Sequence, residues 1–310
     1  MASAILALAH ALPPLRPVGS VLRPIAADPA GPSDLALPAA TQALAEAGLS
    51  VGDIDLLIFA TMTPDVTFPG AACYLQHKLG CGTTAALDVR GQCAGFLTGL
   101  MIADAHLAAG LSRHILLAAG EVHSSGLDYS DAGRAVAELY GDGAAVAVLG
   151  GRDGAGLEAV VCQTDGRHYE RFWIEYPSSR QHPLRITIDD LDTGRHYPRL
   201  DRVHLTAFAT AHLPAVVHAA CAQAGVAIAA IDALVLSHVL PGVVERCAAA
   251  AGIPASRLID AGAAHGHLSA ATLPLALSEA LASGRLGRGA RVCLAACGAG
   301  YAWGAAVVCL

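Results

Sequence analysis

The chain has 310 residues, 54% of them hydrophobic, 15% charged and 5% aromatic, with a formal net charge of -7. That is enough apolar material for one large or two closely joined domains, and too apolar a composition for a disordered chain. The 19 lysines and arginines are scattered singly and form no track for a phosphate backbone, and aromatic stacking platforms are scarce, so nucleic acid is excluded as the expected partner.

The N-terminal run "MASAILALAHALP" has the length of a short signal segment. It lacks a basic start and a convincing cleavage context, and a first buried strand explains it as well. Nine cysteines are an odd count, most of them in apolar runs (Cys162, Cys221, Cys293, Cys309), with no Cys-x-x-Cys pair. This argues against a disulfide framework or zinc ribbon and for a reducing cytoplasm. Neither a metal nor a cofactor is implied.

From Ala47 to Thr61, "AGLSVGDIDLLIFAT" reads as a helix end, a turn and a buried strand. The stretch "DVRGQCAGFLTGL", Asp88 to Leu100, then places Cys93 where a strand gives way to glycines and an apolar helix. A thiol at a helix start feels the positive end of the backbone dipoles, which favours the thiolate. By position alone Cys93 is either an activated nucleophile or one more small buried residue.

The same pattern then returns. "AGVAIAAIDALVLSH" from Ala224 matches the segment from Ala47, and "ARVCLAACG" from Ala290 matches "RHILLAAGE" from Arg113, both at an offset of 177. "GAAVVCL" from Gly304 matches "GAAVAVL" from Gly143 at an offset of 161, so the first half carries about 16 extra residues between Glu121 and Tyr140. Continuous Val/Ile/Leu/Ala strands alternating with apolar helices predict sheets covered on both faces, in two pseudo-symmetric α/β halves. The boundary is set at 1–156 and 157–310, with Cys93 in the first half and the histidines below in the second. By the offset, Cys93 corresponds to Ala270.

The uncharged run from Ala211 to Ile231 is long enough to cross a bilayer, but His212, Pro214, His218, Gln223 and Gly225 interrupt it. It reads as a buried helix and a turn, and no membrane association is expected. His238 ends the strand "IDALVLS" and is the best candidate base for Cys93, although a single satisfied core histidine would look the same. His265 and His267 lie in "AGAAHGHLSAATLP", without the carboxylate or cysteine spacing of a metal site. The glycines of "ACGAGYAWG" either free backbone N–H groups for an oxyanion or make a tight turn between the last strands.

Taken in order, "GDIDLLIFATMTPDVTFPGAACYLQHKLG", "LDVRGQCAGFLTGL", "LYGDGAAVAVL", "HGHLSAATLPLALSEAL" and "CGAGYAWGAAVV" resemble the β-ketoacyl-acyl-carrier-protein synthase III type enzymes of the thiolase superfamily. The resemblance implies a five-layered αβαβα thiolase-like fold and an acyltransferase-class enzyme. It implies Cys93 as the acylated nucleophile and His238 as the first catalytic histidine. The N–H groups of Cys93 and Ala299 would form the oxyanion hole, and Phe68 would cap the acyl pocket of a dimer partner. The implied reaction is decarboxylative condensation of the acyl group with a malonyl-type thioester, in a specialised fatty-acid or polyketide pathway. The implied partners are an acyl carrier protein or coenzyme A as thioester donor, and a second chain in a homodimer or heterodimer.

Three departures from the family pattern stand out. His267 occupies the position usually held by Asn in Gly-Asn-Thr-Ser-Ala-Ala, and so becomes the third catalytic candidate. "HVLPGVVER" replaces the usual His-Gln-Ala-Asn stretch, and the region around "PLRPVGSVLRPIAADPAGPSD" is short and lacks the usual coenzyme A clamp. These changes weaken coenzyme A as donor. They favour a carrier protein, for which only Arg199, Arg202 and Arg246 lie near in sequence as docking cations. Arg90 and Gln92 stand where small residues are common, and either narrow the pocket or meet a polar acyl chain. The alternatives are an acyltransferase passing the acyl group from Cys93 to an alcohol or amine, and a non-catalytic heterodimer partner. Retention of Cys93 with His238 argues against the last.

Overall fold

A computed structural model describes residues 2–152, 154 and 156–310. The chain opens with strand β1 (Ala2–Ala11), the segment that imitates a signal, followed by a hairpin of β2 (Leu15–Val18) and β3 (Val21–Pro24). Helix α1 (Pro32–Ala47) begins after Gly31, whose N–H donates to Asp34 Oδ2 at 2.9 Å, and stops at Gly48 with φ 68°. Strand β4 (Leu56–Ala60), helix α2 (Ala71–Leu79), strand β5 (Ala85–Val89), helix α3 (Gly95–Ala108) and strand β6 (His114–Glu121) follow. The short α4 (Arg134–Ala137) and strand β7 (Gly143–Arg152) complete the first half.

The second half begins at β8 (Gly156–Thr164). A peripheral excursion of β9 (Phe172–Trp173), α5 (Ile188–Asp192) and β10 (Arg199–Leu200) leads into the long helix α6 (Arg202–Gln223). Then come β11 (Ala233–Ser237), α7 (Val243–Ala250), β12 (Leu258–Asp260), α8 (Thr272–Ala282), β13 (Arg291–Gly298) and β14 (Ala302–Cys309).

Each half forms a five-stranded sheet with one topology: the orders are β1-β7-β6-β4-β5 and β8-β14-β13-β11-β12. The central pairs β4/β6 and β11/β13 are parallel, while β7 and β14 return antiparallel. Strands β4 ("LLIFA") and β11 ("ALVLS") are buried at every residue, as their unbroken apolar sequences require of strands with helices on both sides. Helices α3 and α8 form the middle layer between the sheets, with Phe96, Leu97, Leu100, Leu273 and Leu277 in one shared core. Helices α1 and α2 cover the outer face of the first sheet, and α6 and α7 that of the second. The result is the layered αβαβα thiolase fold. The apolar run read as a buried helix is the C-terminal part of α6, whose Leu213, Val216, Val217, Ala220 and Cys221 face the core before the turn at Gly225.

The repeat holds to single-residue register in the middle layer. Each inner helix is entered through a short 3-10 turn, Gln92–Ala94 before α3 and Ser269–Ala271 before α8, and both turns open on a residue in the left-handed region, Gln92 at φ 45° and Ser269 at φ 44°. The two helix starts butt against each other, because a Cβ placed on Gly95 would lie 3.1 Å from Ala270 Cβ and 3.3 Å from Ala60 Cβ. A branched side chain has no space there. Gly95→Val is expected to destabilise the fold by about 1–3 kcal/mol through overpacking, read as a lower urea midpoint. An unchanged midpoint would show that the junction can spread.

Candidate active site

Cys93 lies in the turn that starts α3, with only 1% of its surface exposed. Gly298, the last residue of β13, makes room for it: a Cβ there would lie 2.1 Å from Cys93 Sγ. The backbone N–H groups of Ala299 and of Cys93 itself point at the sulfur and stabilise negative charge. Burial outweighs them and, with the nearby Glu121 carboxylate, pushes the thiol pKa up to about 11. By sequence position Cys93 is either an activated thiolate or a small buried residue. The structure instead holds a protonated thiol that ionises only when a base takes its proton.

The imidazole at hydrogen-bond distance from that thiol is His267, whose Nε2 is 3.0 Å from Sγ, rather than His238. His267 Nδ1 lies 3.4 Å from the buried hydroxyl of Ser237, a group that either donates or accepts. Desolvation and the neighbouring His123 and His238 hold the His267 pKa well below the ordinary range, so it is a neutral acceptor for the thiol proton. His238 follows β11 directly, and its Nδ1 accepts the Leu240 N–H at 3.0 Å, which places its own proton on Nε2. That Nε2 is buried without a partner among the described residues. Burial lowers the His238 pKa to about 4.

Four further residues complete the chamber. Ser269 Oγ lies 2.9 Å from His123 Nε2 and 3.3 Å from Met62 Sδ. The Tyr140 ring sits between two imidazoles, 4.7 Å from His123 and 5.9 Å from His267, centroid to centroid. Glu121, fully buried at the end of β6, accepts hydrogen bonds from Thr61 Oγ1 (3.2 Å), Met62 N–H, Thr63 N–H and Thr63 Oγ1 (2.7 Å). Desolvation still raises its pKa to about 7. Sequence reasoning passed over all four. His123 and Tyr140 belong to the extra segment between Glu121 and Tyr140, where the repeat offers no counterpart to compare. The signal for Glu121 was there: the offset pairs it with Gly298, so a buried carboxylate ends one strand where a glycine ends its twin.

Two cavities reach this chamber. One, of about 180 Å³, is bounded by Arg23, His238, Leu240, Gly262 and His267. The other, of about 100 Å³, lies between Met62, His123, Tyr140, Phe172, Trp173 and Ala299. Of the residues expected at the substrate, Ala299 lines the second cavity. Gln92 holds the strained position before Cys93, and its side-chain oxygen approaches Gly300. Arg90 is exposed and lines neither cavity, and Phe68 stands 78% exposed on the loop before α2.

The three buried imidazoles link stability to pH. His238 and His123, with pKa values lowered to about 4 and about 3, and His267, held well below its ordinary value, are neutral when folded but take a proton near pH 6.5 when unfolded. Their contribution is present above about pH 6.5 and is lost as pH falls toward the folded values, at about 1.4 kcal/mol per pH unit for each group. Glu121, raised from 4.5 to about 7, opposes with a single proton across much of this window. Acidification from about pH 7 to about pH 5 is therefore expected to lower the urea midpoint, with His123→Leu reducing the dependence. A flat profile would mean that the imidazoles are charged in the fold.

The model of 3-oxoacyl-[acyl-carrier-protein (ACP)] synthase III matches residues 87–166, and that of its C-terminal part matches 221–310. β-Ketoacyl-[acyl-carrier-protein] synthase III of Rhodospirillum centenum is 37% identical over 292 residues, covering 92% of this chain and 86% of that protein. The Caulobacter vibrioides enzyme of the same name is 36% identical over 289 residues, covering 91% and 86%. Among solved structures, the synthase III of Aquifex aeolicus superposes with a TM-score of 0.88 at 26% identity, covering 99% of this chain and 100% of that one. A priming β-ketosynthase from the R1128 polyketide pathway gives 0.88 at 26% identity, covering 99% and 96%. A helix-start cysteine with His267 at its thiol, on this fold and with relatives of this identity and coverage, places the chain in the β-ketoacyl-acyl-carrier-protein synthase III family.

Proposed function

We propose that the protein is a ketosynthase acylated on Cys93, which condenses the acyl group with a malonyl-type thioester delivered by an acyl carrier protein. The observation that carries this reading is the pairing of a buried thiol on His267 Nε2 with an unpartnered Nε2–H on His238. His267 accepts the thiol proton as the sulfur attacks the donor thioester. The tetrahedral oxyanion faces the N–H groups of Cys93 and Ala299, and the carrier thiol leaves with the proton. In the second half-reaction the malonyl thioester carbonyl accepts from His238 Nε2. The carboxylate carbon–carbon bond breaks, carbon dioxide departs, and the enolate carbon attacks the acyl-Cys93 carbonyl. The sulfur then leaves as thiolate while a β-ketoacyl thioester forms, and one proton taken up from solvent restores the thiol. A neutral His238 suits this role, since it donates to the developing enolate oxygen without an ionised partner to be desolvated.

His267 replaces the Asn that the family resemblance implies, and Ser237 makes the exchange workable. By accepting from Nδ1–H, its hydroxyl leaves Nε2 free to take the thiol proton. By donating to Nδ1, it leaves a proton on Nε2 to share the enolate oxygen with His238. The cavity beside His238 and Arg23 suits the pantetheine arm of the donor, and exposed Phe68 suits a role in a dimer, reaching the acyl pocket of a second chain. A second reading, acyl transfer to an alcohol or amine, draws on the same His267 contact. An imidazole that deprotonates the thiol also deprotonates an acceptor bound in its place.

Carbon dioxide separates the two. Under the first reading wild-type protein releases it from a malonyl thioester, and His238→Ala lowers release by on the order of a hundredfold, roughly 3 kcal/mol, while acylation of Cys93 persists by intact mass. His267→Ala slows both half-reactions, and His267→Asn restores condensation more fully than acylation. A wild-type enzyme that acylates Cys93, releases no carbon dioxide and turns over with a nucleophilic acceptor would establish the second.

A further inference from the structure

The cavity beside Ala299 has an apolar wall of Met62, Phe172 and Trp173, yet two of its lining residues bring polar groups that the fold leaves unused. His123 commits Nε2 to Ser269, and its Nδ1 has no partner among the described residues. The Tyr140 hydroxyl likewise makes no hydrogen bond among the described residues, although the residue is only 4% exposed. The hydrogen-bonding capacity of both groups is therefore free for a molecule bound in the cavity. The rings are also fixed: Tyr140 packs on His123 at 4.7 Å, and its backbone bridges to His267.

We propose that this cavity selects a short acyl group carrying a neutral oxygen function, a hydroxyl or carbonyl a few bonds from the thioester, and that His123 Nδ1 and Tyr140 Oη bind that oxygen. The inference rests on the acyl-Cys93 reading above and specifies its substrate class. A short chain suits the site, because this is the smaller of the two cavities and Phe172, Trp173 and Tyr140 wall it in. The sign of charge follows from burial. His123 is held neutral, its pKa lowered to about 3, and Tyr140 is held protonated, its pKa raised well above the ordinary value, so neither supplies a countercharge to a carboxylate. A site built to hydrogen-bond a substrate oxygen rejects the analogue lacking it, because its own polar groups are then left unpaired.

The test compares butyryl-pantetheine and 3-hydroxybutyryl-pantetheine as acyl donors to the full-length protein, following Cys93 acylation by intact mass. The expected result is about tenfold or greater preference for the hydroxylated donor, abolished in His123→Leu and retained in His123→Gln, which keeps a side-chain N–H donor. Equal rates in the wild type, or a preference that His123→Leu leaves intact, would overturn the proposal. Calorimetric binding of the two thioesters to Cys93→Ala makes the outcome independent of chemistry. A binding preference without wild-type acylation would uphold the pocket and remove the acyl-enzyme reading. Acylation without any preference would do the reverse.

Discussion

The end-to-end contact of two helix starts governs this molecule. Because α3 and α8 meet at Gly95 and Ala270, the middle layer tolerates only the smallest residues at the junction, and both entering turns adopt left-handed geometry at Gln92 and Ser269. That geometry brings the two side chains following the strained residues, Cys93 and its counterpart Ala270, into the centre of the protein. Water is excluded there, and electrostatic effects are large. Everything with chemical potential in the chain is arranged around this junction.

The two halves use the same scaffold for opposite ends. At the close of β13, Gly298 leaves a hollow that the thiol of Cys93 fills. At the matching close of β6, the carboxylate of Glu121 fills the hollow instead and reaches toward the N–H of Ala270 at 3.5 Å. Matching strand ends thus carry different residues, glycine in one half and glutamate in the other. The cost is a carboxylate with its ionisation shifted to about 7 and a thiol shifted to about 11, each raised by desolvation first. The helix dipole that makes such a cysteine look reactive in sequence is real but smaller than the penalty for burying its anion. The neighbouring neutral imidazole therefore matters more than the helix.

Much of this was legible before any coordinates. The 177-residue offset carries into the structure at β4 with β11, at β6 with β13 and at the two inner helix starts, since apolar runs with both faces covered have distinctive composition. Cys93 and the two histidines stood out because each ends or begins such a run. The partner of the thiol did not. On a linear chain His238, at the end of its strand, is the better candidate base, and only the junction geometry brings the His267 ring to the sulfur instead. His123 and Tyr140 were hidden for another reason. They sit in a segment without period, turn signature or internal copy, where neither hydrophobic pattern nor repeat distinguishes a pocket wall from a surface loop.

That segment separates two kinds of constraint. Cys93 belongs to symmetric, tightly packed elements in which a single methyl group matters. One wall of the cavity beside Ala299 belongs to residues 122–140, which have no copy in the second half and are tied down by hydrogen bonds from Ser124 to Asp142 and from Arg23 to the Glu138 carbonyl, and by the Tyr140–His267 bridge. Apart from His123, which bonds Ser269 in the turn entering α8, and Tyr140, which bridges to His267, the cavity-lining residues of this segment make no hydrogen bond to the junction among the described residues, so the wall can change its shape while the junction stays in place. In this architecture the shape of one cavity wall is set by terms separate from the close packing that fixes Cys93.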